Sequence, residues 1–347
     1  MKKQSKKIIG ILIISCLMVI MLKWLNDSGQ VGSGFYRYFP SHFLSDFRYF
    51  DIDYNSYYFA GYSDDSIYLG NITAPGHLLC ISHDFSDSSH FHFDFADSSI
   101  RSWNFSKLKI DYPIVYLSVF KPSSILQGVL PSNHLKKIEL NRTFGVSSPL
   151  STNSVLLQTY DPVLKQNILG KLIYEGMQWV QNTDLLQKQI DGRFSTDGFI
   201  VPTKDIRHFY IYYYRNEVVC FDTNMNIVYQ ENTIDTNHIA KIKLDTISSQ
   251  KSITLSSPPL FVNLRGVTNE GNIYIHSGVR AENEDVKDFR KSSVIDVYSV
   301  KDFSYMYSFY LPHFINIKIS DFIILGDNLY ALYDNFIASY KLNPPTD

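Results

Sequence analysis

One short phrase recurs along this chain and restricts its fold more than any other feature: an apolar residue, a tyrosine and an aliphatic, set in a run of β-forming residues. It reads Ile67-Tyr68-Leu69, Val115-Tyr116-Leu117, Phe209-Tyr210-Ile211, Ile273-Tyr274-Ile275 and Leu329-Tyr330-Ala331, with Val155-Leu156-Leu157 filling the long gap. The central residues 68, 116, 156, 210, 274 and 330 fall at intervals of 48, 40, 54, 64 and 56 residues. Intervals of this size, each holding several short strands, are the mark of four-stranded propeller blades, which run to about 40–50 residues before insertions. Meanders set radially hide their edges against their neighbours, which a long β-rich chain needs to escape edge-to-edge association.

The most complete unit is Arg207 to Gln230, "RHFYIYYYRNEVVCFDTNMNIVYQ", in which Arg215-Asn216 reads as a two-residue turn and Thr223 to Asn226 as a second turn. The C-terminal unit "ILGDNLYALYDNFIASYKL" repeats the plan, with Gly, Asn and Asp at turn positions that tolerate positive φ. Phe47 to Asp53, "FRYFDID", is placed to add a strand to the last unit and so join the two ends of a ring. The units Arg101 to Leu140 and Thr143 to Tyr174 depart most from the pattern, leaving a count between five and seven. Helical period is weak everywhere after the N-terminus; Thr183 to Ile190 is the one stretch that suggests a turn or two of helix. Aromatic residues make up 15% of the chain, with 25 Tyr and 24 Phe, and charged residues only 19%, a balance that favours half-buried pleated surfaces.

The phrases "FYIYYYRNEVVCFDTNMNI", "VNLRGVTNEGNIYIHSG" followed by "VIDVYSVKDFSYMYSFYLP", and "GDNLYALYDNFIASYKL" resemble those of the bacterial, membrane-anchored, six-bladed β-propeller proteins described as TolB-like, over residues 44–342. The resemblance implies an all-β fold of six blades, each of four antiparallel strands, preceded by one transmembrane helix, and an extracytoplasmic location. It implies no particular activity.

The N-terminus agrees with that location. Lys2, Lys3, Lys6 and Lys7 precede an apolar run from Ile8 to Leu22 that continues, past Lys23, through Trp24 and Leu25. Residues 8–25 just reach the length a bilayer-spanning helix requires, and the lysines ahead of them orient residues 1–7 to the cytoplasm. A second reading is a lipoprotein signal ending before Cys16, although the residues after Cys16 stay apolar. Residues 26–43 are then a linker, 44–342 the propeller and 343–347 a tail. Beyond the anchor only Cys80 and Cys220 remain, in apolar strand-like runs. They are either buried free thiols or one long-range disulfide.

Two places carry candidate chemistry. In "SSHFHFDFAD", His90, His92 and Asp94 alternate with phenylalanines, so a strand projects two imidazoles and a carboxylate from one face, as a divalent-metal site would. The opposing view is that this is the wet side of an outer strand. The charged insertion His276 to Ser293 offers Arg280, Glu282, Asp285 and Arg290 as binding-rim candidates, because propeller ligands meet loops at one rim. Tyr210, Tyr212 and Tyr214 are expected to pack in the core rather than to bind sugars. Nucleophile elbows, Ser-x-x-Lys sets with their companions, phosphate-cradling Gly-rich loops and Cys-x-x-Cys pairs are missing from the sequence. A net charge of −2 supplies no basic field for nucleic acid. Two functions follow: a non-enzymatic recognition module tethered to the membrane, with a protein or small molecule at one rim and no cofactor, or a metal-dependent hydrolase or lactonase with its site at the central channel.

Overall fold

A computed structural model describes residues 14, 15, 17, 18, 33–94, 106–247 and 252–345. The expected basic stub, most of the anchor, Cys16 and the end of the tail lie outside these residues. Among the described residues no helix is long and apolar enough to cross a membrane.

The chain opens with β1 (Leu44–Asp51) and then runs in meanders. The first holds β2 (Tyr57–Tyr62), β3 (Ser66–Asn71), β4 (His77–Ser82) and β5 (Ser88–His92); the second β6 (Lys107–Asp111), β7 (Ile114–Phe120), β8 (Ser123–Val129) and β9 (Lys136–Glu139). The third holds β10 (Val146–Ser151), β11 (Ser154–Asp161), β12 (Gln166–Ile173) and β13 (Gln178–Gln181); the fourth β14 (Gly198–Pro202), β15 (Arg207–Tyr212), β16 (Glu217–Asp222) and β17 (Ile227–Asn232). A hairpin of β18 (Leu244–Ile247) and β19 (Ser252–Leu255) comes next. The fifth meander is β20 (Asn263–Asn269), β21 (Asn272–Ser277), β22 (Ser292–Ser299) and β23 (Tyr305–Pro312); β24 (Asp321–Leu325), β25 (Asn328–Tyr333) and β26 (Phe336–Leu342) end the chain. β1 pairs antiparallel with β26, Tyr49 opposite Ala338 and Phe50 opposite Ile337, so the last sheet has the order β1-β26-β25-β24. The sequence expectation for Phe47 to Asp53 is met there.

The first strands of consecutive meanders touch in a closed cycle. β2 meets β6, β10 meets β14, β14 meets β20, β20 meets β24 and β24 meets β2. The Lys109 ammonium, donating to Ser148 Oγ at 3.3 Å, joins β6 to β10. At one junction the contact is a true parallel pair, Gly61 opposite Ile110, which fuses two meanders into an eight-stranded sheet. Only glycine fits there, since a Cβ on residue 61 would lie 2.1 Å from the Ile110 carbonyl oxygen.

The middle strands of the meanders are packed on both faces, which explains why the tyrosine-centred phrases look continuously apolar rather than alternating. β7, β11 and β15 are buried along almost their whole length, while β5, β9, β13 and β17 are mostly exposed. Separate apolar clusters fill the gaps between sheets. One joins Tyr58, Leu78, Leu108 and Leu117 of the first two meanders, and another joins Tyr274, Phe309, Phe322 and Tyr333 of the fifth and last. Tyr210, Tyr212 and Tyr214 are all buried, as expected.

Local propensity misleads in one place. Thr183 to Ile190 forms turns and bends instead of helix, because Leu185 and Leu186 are drawn into the core and the Gln189 amide donates to Ser195 Oγ at 3.1 Å. Arg215-Asn216 does lie in the connection between β15 and β16, as expected, and both residues are 0% exposed. Arg215 donates to the carbonyls of Ser195 (2.6 Å) and Gln187 (2.8 Å) and to Glu217 (2.7 Å), with its guanidinium 3.5 Å above the Tyr212 ring. Cys80 and Cys220 are separate free thiols, both pushed up to about 11 by burial.

Candidate functional site

The inner strands collect charge around the space they enclose. β6 reads Lys-Leu-Lys-Ile-Asp, and its alternation buries Leu108 and Ile110 between the first two meanders while turning Lys107 and Lys109 the other way. Lys107 Nζ lies 5.5 Å from the centre of the Tyr58 ring on β2. Lys109 reaches Ser148 on β10. On β20, Arg265 donates from Nε to the Ser320 carbonyl at 2.6 Å and stands 3.6 Å from the Asp321 carboxylate at the head of β24. Asp321 in turn accepts the Phe59 amide of β2 at 3.2 Å and the Phe322 amide at 3.0 Å. This one carboxylate thereby ties the last sheet to the first.

The electrostatics show that these groups sense one another across the enclosed space. Burial lowers the Lys107 ammonium, the Arg265 charge lowers it further, and Asp321 opposes both. Lys109, half-buried and walled in by protein, is brought down to about 8 by burial and by Lys107. Burial raises Asp321, against the pull of Arg265, two backbone amides and Lys107. Lys109 also adds to the depression of His208 on β15, which burial chiefly holds down to about 4. Lys107 and Arg265 thus face one carboxylate, and Lys109 stands beside Lys107. Ser148 is 1% exposed, so its pairing with Lys109 is an internal hydrogen bond and does not present a nucleophile to solvent.

His90 and His92 do share an exposed face of β5, and β4 adds a third imidazole that the sequence reading missed, His77 opposite His92. His77 Nε2 is 2.8 Å from His90 Nδ1, and the His77 and His92 rings stack with centroids 4.8 Å apart and planes 14° from parallel. Stacked rings direct their nitrogen lone pairs along parallel planes rather than to one point. Asp94 is not with the histidines; it accepts from Asn133 Nδ2 at 2.5 Å and bridges to His134 in the second meander. Among the described residues no group of three or more His, Cys, Asp and Glu is arranged to hold a metal ion. Burial, then His92 and His90, lower the His77 imidazole.

The charged insertion is engaged with the chain's own N-terminal segment. Residues 34–40, expected as linker, lie against the fifth meander. Glu282 accepts the Gly34 amide at 3.0 Å and the Tyr36 hydroxyl at 2.7 Å. Arg280 donates to the Glu284 carbonyl at 2.7 Å, and Asp285 caps α1 (Val286–Lys291) by accepting the Lys287 amide at 2.7 Å. Arg290 is exposed on α1. At the centre of the clamp Arg37, 4% exposed, is held by Asp296, Glu284, Ser277 and the Val279 carbonyl. None of this network was evident from local sequence, because Arg37 and Asp296 are 259 residues apart.

No family model matches the sequence. No curated protein matches it either. Solved structures do. Virginiamycin B lyase from Staphylococcus aureus superposes with a TM-score of 0.51 at 10% identity, covering 86% of this chain and 99% of that one. A putative exported protein from Bacteroides fragilis gives 0.52 at 8% identity, over 89% of this chain and 99% of that one. A protein of unknown function from Bacteroides thetaiotaomicron gives 0.50 at 11% identity, over 86% and 76%. At such identities the likeness speaks of fold alone. The all-β chain, with its cycle of antiparallel sheets, is a β-propeller.

Proposed function

We propose that this chain is a recognition module: a six-bladed, TolB-like propeller held at the outer face of the bacterial cytoplasmic membrane by residues 8–25, or by a lipid on Cys16. It binds a protein or small molecule at the axial opening, with Arg280, Glu282, Asp285 and Arg290 at a neighbouring rim. The observation that carries this reading is the convergence of Lys107, Lys109, Arg265 and Asp321, from three different meanders, on one enclosed space. A rigid ring that gathers a few polar groups at its axis suits binding without dedicated catalytic residues. The metal-dependent hydrolase reading fares worse on charge, since a divalent ion there would meet three cations and a single carboxylate already occupied by two amides and Arg265.

Two measurements on the full-length chain test the proposal. A membrane-impermeant amine reagent applied to intact spheroplasts labels the domain if it faces outward; labelling only after permeabilisation overturns the location. A ligand that raises the melting temperature of the purified protein, and no longer does so in Arg265→Glu, supports recognition at the axis. Catalytic turnover of that ligand overturns the non-enzymatic reading.

A further inference from the structure

We infer that the axial site takes an oxyanion, a carboxylate or phosphate group presented by the ligand and held by Lys107, Lys109 and Arg265. This inference rests on the reading of the axis as the ligand site and names the chemistry it recognises.

The charges at the axis do not balance. Asp321 offsets Arg265 at 3.6 Å. Lys107 and Lys109 form no ion pair with any described carboxylate, and their nearest partners are a tyrosine ring and one serine hydroxyl. Lys107 and Arg265 keep contact with solvent while Lys109 is half-buried, and holding these like charges near one another is costly in a way that an arriving anion relieves. Arg265 spends Nε on the Ser320 carbonyl, and its Nη atoms make no hydrogen bond among the described residues, so both Nη groups, with four N–H donors, remain for an incoming oxygen. Protein walls around a site of one sign concentrate its field on the opening, which favours capture of an anion over a neutral molecule of equal size. The depressed lysines agree, since burial and then a neighbouring cation disfavour each ammonium, Arg265 acting on Lys107 and Lys107 on Lys109. Phosphate and carboxylate share the oxygen geometry that three such donors recognise, and the experiment separates them.

Isothermal titration of the full-length protein in detergent, at pH 7 and low ionic strength, uses inorganic phosphate in one arm and malonate in the other. One saturable site is expected in at least one arm, and the arm with the higher affinity identifies the oxyanion. Affinity falls about tenfold or more in Lys107→Met and in Lys109→Met, the loss of one charge-assisted contact, and is unchanged in Lys341→Met on the exposed part of β26. Circular dichroism melting of each variant separates lost binding from lost folding, and Lys109→Arg, which keeps the charge, restores affinity if Lys109→Met is unstable. Absence of saturable heat in both arms, or equal affinity in both methionine variants and the parent, overturns the inference. Should an uncharged ligand bind with Arg265→Glu sensitivity while both anions fail, the oxyanion inference falls and the recognition reading stands. Should an anion bind and then be turned over, the reverse holds.

Discussion

Arg37 and Asp296 meet side by side, Nε on Oδ1 at 2.7 Å and Nη2 on Oδ2 at 3.0 Å, in a contact sealed from solvent beneath the charged loop. The pair locks the segment arriving from the N-terminus onto the fifth meander, and Glu284 completes it from the other side. Paired forks of this kind fix orientation as well as energy, and lysine cannot reproduce them. Arg37→Ala strands two buried carboxylates and is expected to cost about 3–5 kcal/mol, read as a lower urea midpoint. Arg37→Lys recovers only part of the loss, and both variants expose the chain near Gly34 to protease. Equal stability of Arg37→Ala and the parent would rule out this role.

Acid sensitivity follows from two histidines. His208 and His276 are 5% and 3% exposed. Burial, aided by Lys109, holds the first down to about 4; burial, then Lys318, Arg265 and His313, holds the second to about 3. Both stay neutral in the folded chain while the unfolded chain protonates near 6.5, so the unfolded state binds more protons as pH falls and stability drops with it. Asp197, raised to about 7 by burial and by Asp191, works the opposite way, because the folded state there holds the extra proton. Comparison with a variant isolates one histidine: between pH 4.5 and 6, unfolding free energy should fall about 1.4 kcal/mol per pH unit more steeply in the parent than in His208→Leu. Parallel curves would count against a neutral buried His208.

Anion affinity should weaken in alkali. Lys109 titrates at about 8, with Lys107, Ser148 and His208 as its polar surroundings, and a bound anion must restore its proton. Malonate keeps its charge over this range, so its affinity is expected to decline up to about tenfold per pH unit above 8, with proton uptake visible as a dependence of heat on buffer. In Lys109→Arg the decline is shallower. A flat profile in the parent would place the anion elsewhere.

Gly61 allows β2 and β6 to approach. Alanine there drives a Cβ to 2.1 Å from the Ile110 carbonyl oxygen, backbone that cannot move aside cheaply. Gly61→Ala is expected to lose about 1–3 kcal/mol of stability, measured by urea denaturation, through splitting the junction of the first two meanders. Gly271, with open space around its Cβ position but a φ of 82°, is a contrasting site where any loss comes from backbone strain alone.

The sheet core was legible because its signal is local. A middle strand buried on both faces must be apolar at nearly every position, so Phe209-Tyr210-Ile211 and Ile273-Tyr274-Ile275 announce themselves without reference to any partner. The axial groups were not legible, since each is a single polar residue on an inner strand and acquires meaning only when strands far apart in the chain are brought face to face. Lys107 and Lys109 sit in one of the two units that depart most from the repeat. His77 escaped notice for a related reason: strand pairing across a hairpin, not the His90-His92 spacing, brings it to the pair. Thr183 to Ile190 shows the converse, in which propensity favoured a helix and the burial of Leu185 and Leu186 decided otherwise.

The pairing of β1 with β26 has a consequence for biosynthesis. During synthesis β1 waits, unpaired, until β26 has followed it out of the ribosome, so the seam they form is made late. Chains cut before Phe336 leave the edge of β1 bare and offer cellular quality control an unmistakable mark of incompleteness.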